Sequence, residues 1–133
     1  MSSRHRSQAI GAEARAVDDI DVVAPGFTLA FLRACPDAVA ILNVEGRVGF
    51  LNQAGHRTME IDATESVSGR AWWDLWPDAD RSALETGFRR AVSGELVRLK
   101  AGRAARMWDI TLSPIINLAG ETESVLMVSR VAP

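Results

Sequence analysis

Tyrosine is absent from these 133 residues, and the chain has one cysteine, Cys35, and two histidines, His5 and His56. Each scarcity removes a class of chemistry. A chromophore held by tyrosine hydroxyls is excluded. One cysteine cannot close an internal disulfide. A zinc site needs three or four converging Cys, His or carboxylate ligands, so no metal ligands are expected. The phosphate-cradling Gly-x-x-x-x-Gly-Lys and the nucleophile turn Gly-x-Ser-x-Gly are also missing, so no catalytic group is expected and the chain does not read as an enzyme. Neither charge sign dominates: 15 basic against 17 acidic side chains give a formal net charge of -2, which supplies no bulk attraction for nucleic acid or anionic lipid. No apolar run approaches the roughly 18 residues of a spanning helix, and no charged start followed by an apolar run marks secretion. The expectation is a cytoplasmic chain that engages neither membrane nor nucleic acid.

Apolar residues at 47% and charged residues at 24% match ordinary globular usage, so a folded domain is expected. A chain of this length supports one core and buries roughly two-thirds of the surface its unfolded form exposes. Residues 1–25 look like an extension. Within them Ile10, Ala14, Val17 and Ile20 recur at near-helical spacing, which permits an amphipathic helix, with a frayed arm as the alternative. The domain proper is expected over 26–133. A short helix over Phe27 to Ala34 stops at Cys35-Pro36, because the residue before proline avoids helical geometry.

Ala38 to Asn43 and Arg47 to Asn52 are strand-like runs joined by Glu45-Gly46 turn chemistry, a hairpin. Asn52 is a good N-cap for a helix over Gln53 to Glu60, and a second helical segment is suggested from Thr64 to Val67. Three of the four tryptophans fall within Trp72-Trp73-Asp74-Leu75-Trp76, and that much aromatic area must be buried. Asp78 can cap a helix through Ser93, on which Leu84, Phe88, Ala91 and Val92 form one stripe, with Gly94 as the stop. Strands are expected over Glu95 to Lys100, Arg106 to Ile116 and Glu123 to Val131, with a turn at Ala101-Gly102-Arg103 and a loop over Asn117 to Thr122. Trp108, Ile110 and Leu112 alternate with Asp109, Thr111 and Ser113, the period of a sheet buried on one face. Strands on both sides of a helical block, with turns too short for crossovers, predict an α+β fold with an antiparallel sheet.

The order of these elements and several phrases resemble the PAS family over Phe31 to Val131. The phrases are Pro36 to Leu42 followed by Gly46-Arg47-Val48 and Phe50-Leu51-Asn52, then Gly69 to Pro77, then Trp108 to Ile115. The resemblance implies a five-stranded antiparallel sheet with short helices and one longer connecting helix on one face, around a small apolar cavity. It implies a sensor or interaction domain of a signal-transduction protein, such as a two-component histidine kinase. Homodimerisation through the N-terminal segment and the outer sheet face would go with it. Family members often leave the last strand through an Asp-[Ile/Val]-Thr connector, whereas Ser129-Arg130 is followed here by Val131-Ala132-Pro133. That departure suits an excised module or one that signals by docking.

Haem in this family usually takes a histidine from the long helix, and Asp78 to Ser93 has none, so haem is not expected. Flavin–cysteine chemistry needs a cysteine where this sequence has Trp72 to Trp76, so it is not expected either. A noncovalent small ligand or flavin stacked on tryptophan remains open, against the plainer reading that the aromatics are core. If a cavity exists, Phe50, Met59, Trp76, Phe88, Ile110 and Met127 are expected to line it. Two alternatives stand beside the sensor: a ligand-free protein–protein adaptor, and a small cone-shaped isomerase or hydrolase with Asp109 as its acid–base group. Arg98, Lys100, Arg103 and Arg106 cluster around the hairpin tip at Ala101-Gly102-Arg103, a basic patch more simply read as a solvated edge.

Overall fold

The computed structural model describes residues 25–62 and 66–133. The expected arm over 1–25, apart from Pro25, lies outside them, as do Thr64 and Glu65 of the helical segment expected at Thr64 to Val67, whose Ser66 and Val67 are not helical. Helix α1 spans Pro25–Ala34, two residues earlier than the sequence suggested. Pro25 begins the helix instead of preceding it, since a proline in the first turn gives up an N–H that would have no partner anyway.

Strands β1 (Ala38–Leu42) and β2 (Val48–Leu51) form the first hairpin. Helix α2 (Gln53–Thr58) starts at Asn52, whose side chain accepts from Gly55 N as expected of an N-cap. A 3-10 turn covers Trp72–Leu75, and the long helix α3 covers Asp78–Val92. Its N-cap is Pro77, with no side-chain cap hydrogen bond, so the capping role expected of Asp78 is corrected. Asp78 and Asp80 instead sit in the first turn, where a carboxylate favours the helix dipole.

Strands β3 (Val97–Arg103), β4 (Arg106–Ile116) and β5 (Thr122–Val131) complete one antiparallel sheet in the order β2-β1-β5-β4-β3. The turn expected at Ala101-Gly102-Arg103 lies two residues later. Ala104 and Ala105 both take positive φ, 55° and 60°, which is the geometry of a two-residue hairpin, and Gly102 stays on the strand opposite Met107. Gly102 N donates to Asp80 Oδ2 at 3.1 Å, tying the edge strand to the start of α3.

The other two hairpins share one device. Asn43 Oδ1 accepts from Glu45 N and Arg47 N, and Asn117 Oδ1 accepts from Ala119 N and Glu121 N. Each asparagine side chain stands in for a turn's missing backbone partner.

Trp108, Ile110 and Leu112 point inward and share one core with Leu84, Phe88 and Ala91 of α3. Gly87 permits the approach, since a Cβ there would stand 2.4 Å from Leu99 Cδ2. No helix among the described residues is long and apolar enough to cross a membrane.

Candidate functional site

The interior between α3 and the sheet is organised by tryptophan. Val48 N donates to Arg70 O, Gly69 N to Val48 O and Trp72 N to Gly46 O, so the segment before the 3-10 turn is pinned to β2 and to the first hairpin. A 3-10 turn packs its residues tightly along the axis. Here it buries Trp72, Trp73, Leu75 and Trp76 and leaves only Asp74 outside, where it pairs with Arg81 of α3 at 3.0 Å. The rings then connect layer to layer. Trp73 meets Phe88 of α3 at 5.6 Å between centroids, Trp72 meets Trp76 edge-on at 6.2 Å, and Trp76 meets Trp108 of β4 at 6.1 Å. Such tilted pairs suit the ring quadrupoles and add to the area term.

Polar atoms in this interior are few. Trp108 Nε1 donates to Arg103 O at 3.0 Å. Trp72 Nε1, Trp76 Nε1 and Ser129 Oγ are buried without a partner. Of the six residues expected around a cavity, Met59, Trp76, Phe88, Ile110 and Met127 belong to the buried core. Phe50 does not, and its placement is corrected. The pairing slips between Ile41 and Leu42, so that Leu42 faces Val48 while Ile41 faces Phe50. Gly49 is the extra residue of this bulge, and it reverses the alternation counted from Val48. Phe50 therefore shares the outer sheet face with Ile41, half-buried, and lines shallow surface pockets with His56. Sequence reasoning passed over Ser129, although it continues the inward series Val125, Met127 and was visible as a hydroxyl in an apolar phase.

Asp109 lies on that outer face and pairs with Lys100 across the β3–β4 ladder. An acid–base carboxylate in an apolar cavity is thus not what the fold makes of it. Asp109→Asn is expected to change the unfolding free energy by less than about 1 kcal/mol in a urea titration, the usual worth of an exposed pair. A loss several times larger would mean the carboxylate is doing more than meeting Lys100. Within the expected basic patch Lys100 is neutralised by Asp109; outside it Arg130 pairs with Asp37 at 2.7 Å, Arg90 with Glu95 at 2.9 Å and Arg89 with Glu85 at 3.3 Å. Among the described residues no three His, Cys, Asp or Glu side chains gather as metal ligands.

A family model described as PAS fold matches residues 32–132. No curated protein matches the sequence. Solved structures of similar shape include a phage VqmA–DPO complex at 16% identity and a TM-score of 0.65, covering 86% of this chain and 56% of that one. A domain of the putative light and redox sensing histidine kinase from Haloarcula marismortui aligns at 18% identity and 0.63, covering 80% of this chain and 97% of that one. A VqmA–ligand–DNA complex from Vibrio cholerae aligns at 13% identity and 0.65, covering 78% of this chain and 50% of that one. The chain spans about half the length of the two VqmA proteins. At these identities the likeness is one of fold.

Proposed function

The chain belongs to the PAS-fold family, and from that premise we propose that it is a sensor and interaction domain of a signal-transduction protein, which takes up a small molecule in its apolar interior. The observation that carries this reading is the aromatic run Trp72, Trp76, Trp108, which joins the 3-10 turn to the first part of β4. A molecule lodged against these rings would press on Trp108, and so on a strand whose other face bears Asp109 and Thr111. Occupancy inside then biases packing outside, a two-state shift with no chemical step. The ligand is noncovalent, and a flavin stacked on tryptophan is one form of it; haem and cysteine–flavin chemistry are not part of the reading. Met59 and Met127 give the wall side chains that adapt to different shapes.

The output we infer is homodimer packing through the N-terminal segment and the outer sheet face, coupled to an effector such as a histidine kinase. The domain itself works in the cytoplasm, without contact to membrane or nucleic acid. VqmA is described in complex with DNA, so the nucleic-acid part of this proposal deserves its own gel-shift control.

A second reading, the ligand-free adaptor, is favoured by the outer face alone. There Phe50, Ile41 and Leu126 form a cross-strand apolar row, all half-buried, with Val39 and Val128 in the next row. Native mass spectrometry and an absorption spectrum of gently purified protein separate the two. A stoichiometric bound molecule is expected; an empty domain that dimerises would leave only the adaptor. In both cases Leu126→Arg is expected to weaken self-association at least tenfold in sedimentation, while costing under about 1 kcal/mol of folding stability because the site is only half-buried. Unchanged self-association would remove the outer face from the output.

A further inference from the structure

On the buried residues among those described, the fold leaves three polar atoms unmatched, and their chemistry is selective. Trp72 is fully buried, Trp76 is 4% exposed and Ser129 is 0% exposed, yet Trp72 Nε1, Trp76 Nε1 and Ser129 Oγ have no hydrogen-bond partner. Buried polar groups are nearly always paired, so three in one small interior call for an explanation. Among the described residues the buried Asn52 side chain is satisfied by hydrogen bonds to backbone groups, and the buried Trp108 indole by Arg103 O. Ring contacts and sheet register connect the three. Trp72 and Trp76 touch, Trp76 touches Trp108, and Ser129 sits on the same inward face as Trp108, paired with Ile110 in the β4–β5 register.

An indole N–H can only donate, while a hydroxyl donates and accepts. A complementary molecule must therefore present acceptors. Among the described residues no charged side chain is fully buried, so a buried formal charge would find no counterion among the core side chains and bear a heavy desolvation cost. We propose that Trp72, Trp76 and Ser129 form the polar subsite for an uncharged, largely apolar ligand whose carbonyl or ring-nitrogen acceptors take the two indole N–H groups and the serine hydroxyl. This rests on the reading of the interior as a ligand site and specifies what that site selects. Anionic metabolites are excluded by it, and so are pure hydrocarbons as preferred ligands.

Three probes of nearly equal size test it: acetophenone, ethylbenzene and benzoate. Each is titrated into the folded chain while the indole N–H signals are followed by 1H–15N NMR, with Trp72 and Trp76 assigned through Trp72→Phe and Trp76→Phe. Acetophenone is expected to bind roughly tenfold more tightly than ethylbenzene, the worth of about two neutral hydrogen bonds, and to move both indole signals downfield. Benzoate is expected to leave them in place. In Ser129→Ala the preference for acetophenone should shrink severalfold while ethylbenzene binds as before. Ethylbenzene matching acetophenone would overturn the acceptor claim and leave the ligand site standing. If no probe moves any indole signal, the interior is a closed core and both readings fall. Indole protons that lie upfield and stay fixed would show that each N–H already points at a neighbouring ring, which also overturns the proposal.

Discussion

Asn52→Ala is expected to lower the unfolding free energy by about 3 kcal/mol, measured by urea denaturation at neutral pH. One side chain fastens three elements. Its Oδ1 accepts from Val39 N of β1 at 2.9 Å and from Gly55 N of α2 at 2.8 Å. Its Nδ2 donates to Leu32 O of α1 at 3.0 Å and to Asp37 O, just before β1, at 3.0 Å. Asn52 is 1% exposed, so water cannot readily replace what alanine removes. Loss of the cap accounts for about 1 kcal/mol, and stranding the buried Val39 N–H and its companions for about 1 to 3 more. Against a total of roughly 5 to 15 kcal/mol for a domain, that is a large fraction. Because α1 is held through Leu32 O, hydrogen exchange should also quicken selectively in Pro25–Ala34. A loss below about 1 kcal/mol would mean that the four hydrogen bonds are readily exchanged for water.

How much of this could be read beforehand depends on whether the signal was local. Strand β4 was legible to the residue, because Trp108, Ile110 and Leu112 alternate with polar neighbours over a long run and every register slip would expose them. Asn52 was legible as a cap, since the cap is local chemistry; its hold on Leu32 and Asp37 was not, being made 20 and 15 residues away. Gly102 misled the β3–β4 turn, because glycine is the obvious residue for positive φ and the structure spends that conformation on Ala104 and Ala105. Phe50 was assigned to the wrong face by counting twos across Gly49, where a single extra residue changes the count without changing the composition. For the interior, five of the six residues expected to line a cavity, Met59, Trp76, Phe88, Ile110 and Met127, lie in the buried core. The unmatched atoms at Trp72, Trp76 and Ser129 depend on three-dimensional neighbours and leave no trace in spacing.

The contact between the first hairpin and the tryptophan turn carries a second large effect. Gly46 takes φ 85°, and a Cβ placed there would stand 2.4 Å from both Cη2 and Cζ3 of Trp73. The ring has little room to withdraw, because Trp73 is buried and packs against Phe88 of α3 at 5.6 Å between centroids, and Phe88 Cε2 itself would stand 3.4 Å from that Cβ. Gly46→Ala is therefore expected to cost about 3 kcal/mol: about 1 from a left-handed backbone on a residue with a Cβ, and about 2 from overpacking against a rigid indole. The two contributions separate in a double-mutant cycle. With Trp73→Leu already in place, Gly46→Ala should cost only the backbone part, leaving a coupling of about 2 kcal/mol. Strictly additive losses would mean the ring yields freely and the hairpin does not sense it. Gly46 O also accepts from Trp72 N, so an indole pushed aside at Trp73 moves the start of the same turn that carries Trp72 and Trp76. If the interior is a ligand site, Gly46→Ala should disturb both indole signals before any ligand is added, which places the hairpin tip on the path between the sheet edge and the tryptophans.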